Sequence, residues 1–261
     1  MSYIIAIANE KGGVAKTTTT LSLGAALVET GAKVLVVDLD AQANLTLALG
    51  VEPSKVSHSI ANILLEGDSP TSSCQETGVP GLDLIPANSE MGLAERFLPI
   101  RQDYEFILRQ ALEKSFPNHY DYTLLDCPPF LGAVTFNALT AAQMLLIPTQ
   151  AEYLSIHAIR NMLAAVRKIR EENNPGLSYR LLVTMFDRRN RTHRTLAEQL
   201  RSTFGQGLME TSIFTDTKLR ESPIAGLPVI YYAPKSRASE QYRALAQEIN
   251  QYVQETTEQP A

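Results

Sequence analysis

A chain of 261 residues, 44% apolar and 20% charged, has the composition of one large folded α/β domain or of two small ones. No apolar run approaches the roughly 20 residues that a bilayer-spanning helix needs, and the two cysteines, Cys74 and Cys127, lie too far apart for a metal-ligand spacing. The net charge of −5 conceals an asymmetry: from Arg160 to Arg243 there are 15 basic against 8 acidic residues, which predicts one electropositive face on an otherwise acidic protein.

The first predicted element is a buried strand over residues 3–8, entered so early that a secretory leader has no room before it. Asn9-Glu10-Lys11-Gly12-Gly13-Val14-Ala15-Lys16-Thr17-Thr18 follows, and then helical spacing in Leu21, Leu23, Ala26 and Leu27. Strand, glycine-bearing loop, Lys-Thr and helix is the layout of a phosphate-binding loop. Gly12 and Gly13 let the backbone curl its N–H groups toward phosphate oxygens, and the helix start near Lys16 adds its partial positive charge. Lys16 can reach the outer phosphates, and the Thr17 hydroxyl suits a Mg²⁺ bridging them. The common spacing G-x-x-x-x-G-K-[ST] is not met, because its two glycines would fall on Glu10 and Ala15. If position 15 requires a positive φ, alanine costs roughly 1 kcal/mol relative to glycine there.

A second strand, residues 33–38, ends in Asp38 and runs on through Leu39-Asp40-Ala41-Gln42-Ala43-Asn44. Carboxylates at the carboxyl end of a buried strand stand where open parallel sheets bind ligands; a cap on the next helix is the other role open to Asp40. Further strands are predicted at 82–87, 122–126, 144–148 and 180–185. The one over 122–126 ends in Asp126 and meets Cys127-Pro128-Pro129, a Walker B arrangement whose carboxylate holds Mg²⁺, often through water. Helices are predicted at 103–115, 134–142, 155–172, 192–203 and 239–255. Strands so continuously apolar need helices on both faces, which predicts a doubly wound, mostly parallel sheet in a three-layer α/β sandwich. The whole chain, 1–261, reads as one domain with a disordered tail at 255–261.

With the second lysine, Lys11, the loop resembles the deviant Walker A string K-G-G-x-G-K-T-T of the ParA/MinD branch of P-loop ATPases, Ala15 standing for its glycine. Residues 38–44 resemble that family's D-x-D-P-Q-G-N with alanines at 41 and 43, and 126–132 resemble its second switch, D-C-P-P-x-L-G. Thr217 to Pro223 resembles V-R-L-S-E-A-P and Pro234 to Ala238 resembles P-x-S-R-G. The likeness runs from about Ile4 to Val253 and is nearest to short chromosomal-type ParA proteins, also called Soj.

The resemblance implies a cytoplasmic ATP hydrolase using ATP and Mg²⁺, with Lys11, Lys16 and Asp40 catalytic and Thr17, Asp38 and Asp126 around the metal. It implies a homodimer closed by ATP, with Lys11 reaching the partner's phosphates. Met185, Asp187 and the loop 214–217 are adenine candidates by position. Arg188, Arg189, Lys218, Arg220 and Lys235 lie on segments that in the family contact duplex DNA without reading sequence, which implies nucleoid association in the ATP state. A ParB-like adaptor would stimulate hydrolysis, and the cargo would be DNA or, alternatively, a protein assembly such as a microcompartment or chemoreceptor cluster. A MinD-like membrane role is opposed by the acidic, polar end Glu255 to Gln259, and a metallocluster carrier by the cysteine placement. An amide ligase or synthase would call for a substrate-binding insertion, of which the sequence gives no sign.

Overall fold

Alternate residues of each central strand enter two different cores. In the computed structural model, which describes residues 2–153 and 155–258, the strands are β1 Tyr3–Ile7, β2 Val34–Asp38, β3 Gln75–Glu76, β4 Leu82–Ile85, β5 Tyr122–Asp126, β6 Met144–Gln150, β7 Ser178–Phe186 and β8 Leu208–Phe214. They form one sheet in the order β3-β4-β2-β5-β1-β6-β7-β8, parallel throughout except for the short β3 against β4. Ile4, Ala6, Leu35, Val37, Leu125, Leu145 and Ile147 point to one face; Ile5, Ile7, Val34, Val36, Leu124, Met144 and Leu146 point to the other. The period of two splits an unbroken apolar run between two layers, and a sheet buried this way must be covered twice.

The first half of the chain supplies helices α1 Lys16–Glu29, α2 Asn44–Ala48, α3 Ile60–Glu66, α4 Pro70–Ser73, α5 Met91–Phe97 and α6 Ile107–Ser115. The second supplies α7 Ala133–Ala141, α8 Ser155–Glu172, α9 Arg191–Phe204, α10 Lys218–Glu221, α11 Val229–Tyr232 and α12 Arg237–Glu258. Helices α3, α5, α6, α7 and α8 bury their apolar sides in the first core; α1, α2, α11 and α12 bury theirs in the second. β1 is flanked by β5 and β6, the crossover through α1 leading to one side and that through α7 to the other. The loop after β1 therefore sits at a topological switch point, where such sheets bind ligands.

Two expectations change. Strand β8 is not legible in the sequence, because Glu210, Thr211 and Ser212 interrupt its apolar pattern; it is an edge strand, paired with a strand on one side only. Its backbone amides are covered from α12: the Glu248 carboxylate accepts from Glu210 N and Thr211 N at 2.6 and 3.1 Å, and Gln241 Oε1 accepts from Phe214 N at 3.0 Å. The tail predicted from residue 255 is helical to Glu258. Gln251 Nε2 donates to Glu255 Oε1, and Thr256 Oγ1 to the Tyr252 and Val253 carbonyls, so local bonds hold this end. Residues 259–261 lie outside the described residues.

Candidate active site

The loop between β1 and α1 is braced before it curls. Asn9 Nδ2 donates to Pro148 O, Asn9 Oδ1 accepts from Lys11 N, and Thr184 Oγ1 donates to Val14 O. Gly13 and Ala15 then take left-handed conformations, φ +71° and +65°. Among the described residues, no heavy atom beyond the adjoining residues lies within 4 Å of where a Cβ would stand on Gly12 or Gly13, so there is open space beside both. Helix α1 begins at Lys16 with no side-chain cap and no acid in its first turn, leaving its N–H groups and positive pole for an anion. Lys16 is 8% exposed as a residue, and its ammonium donates to Lys11 O at 3.3 Å. Burial pushes its pKa down, against the pull of the Asp126 carboxylate.

Ala15 tests the cost of that turn. An L-residue pays about 1–2 kcal/mol in the left-handed region, and glycine gives back part of this through its looser unfolded chain. Ala15→Gly should therefore stabilise the protein by about 0.5 kcal/mol, roughly 1–2 °C in a nucleotide-free melt. A melting temperature that falls would show the turn to be unstrained.

Asp38 and Asp126 are register partners on adjacent β2 and β5, both fully buried. Asp126 accepts from Thr17 Oγ1 at 2.7 Å and from Thr20 Oγ1 at 3.2 Å, which locks the loop helix to the Walker B strand. Asp38 Oδ2 accepts from Thr46 N and Thr46 Oγ1 at 2.9 and 2.7 Å and so ties β2 to α2. Burial raises both carboxyl pKa values, and each is raised further by a neighbouring carboxylate: Asp38 for Asp126, Asp40 for Asp38. Two buried acids beside a threonine hydroxyl, next to an open phosphate cradle with a buried lysine, are a donor set that a divalent cation with a polyphosphate satisfies. The residues fit nucleotide and Mg²⁺. Asp40 is half-buried and turns Oδ1 to Gln42 N at 3.0 Å. It does not cap α2, whose N-cap is Ala43 at φ +51°.

Lys11 folds toward the end of β6, donating to Gln150 Oε1 at 2.8 Å and Glu152 Oε2 at 2.7 Å, with Ser155 Oγ at 3.5 Å. Nothing in the motif strings points to Glu152 as its partner.

Beside the loop is a cavity of about 230 Å³ lined by Gly13, Ala15, Thr18, Met185, Phe214 and Thr215 among others. Met185 bulges out of β7 at φ +52° to reach it. Asp187 does not line this cavity. Its Oδ1 accepts from Arg189 N and Nε at 2.9 and 3.3 Å, and its own N–H donates to His193 Nδ1, so it faces a neighbouring depression. That depression, about 470 Å³, is lined by Phe186, Asp187, Arg188, Arg189, Phe214, Thr215 and Arg237.

The guanidinium groups of Arg188 and Arg237 lie over the Phe214 ring at 4.5 and 5.1 Å. Arg189 is almost fully exposed. Lys218 pairs with Glu221 at 2.6 Å, Arg220 borders the loop cavity, and Lys235 is exposed two residues before Arg237. The five basic candidates thus stand on loops and helix starts that follow β7 and β8. Arg237 was not among them, although the P-x-S-R string contained it. Phe214 and Thr215 are walls of both cavities.

The AAA domain family model matches residues 2–179. Sporulation initiation inhibitor protein Soj of Bacillus subtilis is 39% identical over 250 residues, 95% of this chain and 98% of its own. Chromosome partitioning protein ParA of Caulobacter vibrioides is 35% identical over 249 residues, 94% and 93% of the two chains. Among solved structures, cobyrinic acid a,c-diamide synthase from Mycobacterium smegmatis with bound ADP and magnesium superposes with a TM-score of 0.87 at 32% identity, covering 100% of this chain and 99% of that one. With its lysine–threonine loop, Walker B carboxylate and parallel sheet, the chain belongs to the Soj/ParA family of P-loop ATPases.

Proposed function

We propose that this protein hydrolyses ATP, dimerises face to face around it, binds duplex DNA in that state without reading sequence, and so positions DNA or another large cargo. A ParB-like partner would stimulate hydrolysis and release the dimer. The observation that carries this reading is the Thr17–Asp126 bond beside buried Lys16, in a chain whose arginine-lined depression shares Phe214 and Thr215 with the loop cavity.

Lys16 would neutralise the outer phosphates, and the amides of residues 12–18 would cradle them. Thr17 and Asp126 would hold Mg²⁺, with Asp38 fixing the shell behind them. When bound, the metal offsets charge on the phosphate oxygens. Asp40 would orient the attacking water and accept its proton as the new P–O bond forms and the bond to ADP breaks. Lys11 would leave Glu152 for the partner's phosphates.

A second reading, ATP-dependent amidation, comes from the name of the Mycobacterium smegmatis relative. The basic depression has no part to play in it. Filter binding of two unrelated duplexes over a salt series, in ATP and in ADP, separates the two. Binding should be at least about tenfold tighter in ATP, because a dimer doubles the basic surface. Affinity should fall with salt at a log–log slope of about −0.9 per phosphate neutralised. Arg189→Ala with Lys218→Ala should flatten the slope for both duplexes and leave basal turnover unchanged. An absence of ATP-dependent binding at low salt would remove DNA from the function.

A further inference from the structure

We propose that Glu95 is a positioning residue for the second switch, holding the far end of the 127–132 loop from helix α5; the inference rests on the ATPase reading above. The near end of that loop is fixed by Asp126, buried and bonded to Thr17 and Thr20. The far end is the start of α7, whose N-cap is Gly132, a residue with no side chain to satisfy the first-turn amides. Glu95 supplies what Gly132 lacks. Its Oε1 accepts from Ala133 N at 2.5 Å and its Oε2 from Val134 N at 3.1 Å, across 38 residues of sequence. A carboxylate on a helix N-terminus is favoured by charge as well as by the two hydrogen bonds.

Gly132 and Glu95 are matched in space. A Cβ on Gly132 would stand 1.7 Å from Glu95 Oε1, 2.6 Å from its Cδ and 2.8 Å from Cε2 of the exposed Phe130 ring, so the carboxylate, with the ring edge beside it, occupies the volume that a side chain at 132 would enter. Inside the loop, Thr135 Oγ1 donates to Phe130 O at 2.7 Å and draws the turn onto α7. With Pro128 and Pro129 stiffening the middle, little in the loop can adjust independently of its two ends. The backbone next to the metal-binding carboxylate is therefore set partly by a glutamate on a different helix, and the loop path depends on it.

The test compares the parent protein with Glu95→Ala, Glu95→Gln, Gly132→Ala and the double variant Glu95→Ala/Gly132→Ala. Each is measured for hydrogen exchange without nucleotide, ATP affinity with Mg²⁺, and turnover. Loss of the clamp should speed exchange across 127–134 selectively. Turnover should drop about tenfold or more while ATP affinity stays within about twofold, as expected of misplacement and not of lost binding. Glu95→Gln keeps one acceptor oxygen and should fall between parent and alanine variant, and it serves if the alanine variant does not fold. Because Gly132→Ala displaces the same carboxylate, the double variant should be no worse than either single one. Unchanged exchange at 133–134, or losses that multiply in the double variant, would overturn the proposal. A parent without ATP turnover would instead sink the ATPase reading, and the exchange data would then decide the clamp by themselves.

Discussion

Lys16→Ala is expected to weaken ATP binding by roughly 10- to 100-fold and to abolish measurable turnover. Its ammonium is buried at the mouth of the loop, where burial already disfavours the charge and a polyphosphate would restore it. A hydrogen bond to a charged group contributes about 1.5–3 kcal/mol, and each 1.4 kcal/mol is a factor of ten in affinity. The fold should survive, because among the described residues the Lys16 ammonium donates only to a carbonyl of its own loop. Titration calorimetry with ATP and Mg²⁺, alongside a nucleotide-free melt, checks both halves. A folded variant with parental affinity and turnover would refute the phosphate-loop assignment.

Asp40→Ala and Lys11→Ala should part company in one light-scattering experiment with ATP. Asp40 makes no bond to Thr17 or Asp126, so its loss should leave nucleotide and metal binding intact. Losing a general base costs about 10²- to 10⁴-fold in rate, and the ATP dimer should then accumulate. Lys11→Ala should stay monomeric in ATP while still binding it. In the monomer the Lys11 side chain is held by Glu152, a pair whose partners are 26% and 46% exposed. Such a pair contributes at most about 1 kcal/mol, so moving the lysine to a partner's phosphates costs little. A monomeric Asp40→Ala, or a Lys11→Ala that dimerises like the parent, would contradict these roles.

The parts of the site written into consecutive residues were legible in the sequence. Lys11 to Thr18 follow a strand, and Asp38 and Asp126 end one, whose apolar run announces it, and periodicity with loop chemistry was enough to order them. What escaped depends on packing between distant segments. Glu152 against Lys11, Arg237 across Phe214 from Arg188, and Glu95 of α5 against the start of α7 act on partners that lie on other segments of the chain, which no local pattern names. Asp187 was an adenine candidate only by its place beside Met185. The bulge in β7 sends Met185 one way, and the bonds to Arg189 and His193 send Asp187 the other. Strand β8 was missed because an edge strand tolerates polar residues on its open side.

That edge also bears on how copies of this protein can meet. Exposed strand amides are templates for another chain, and folded proteins seldom leave them open. Here α12 lays glutamate and glutamine over the β8 amides, and at the other border β3 is two residues long and runs antiparallel. Neither border invites a neighbour's strand. Association by continuing the sheet, which is hard to reverse and leads toward fibres, is discouraged by the same helix that fills the second core.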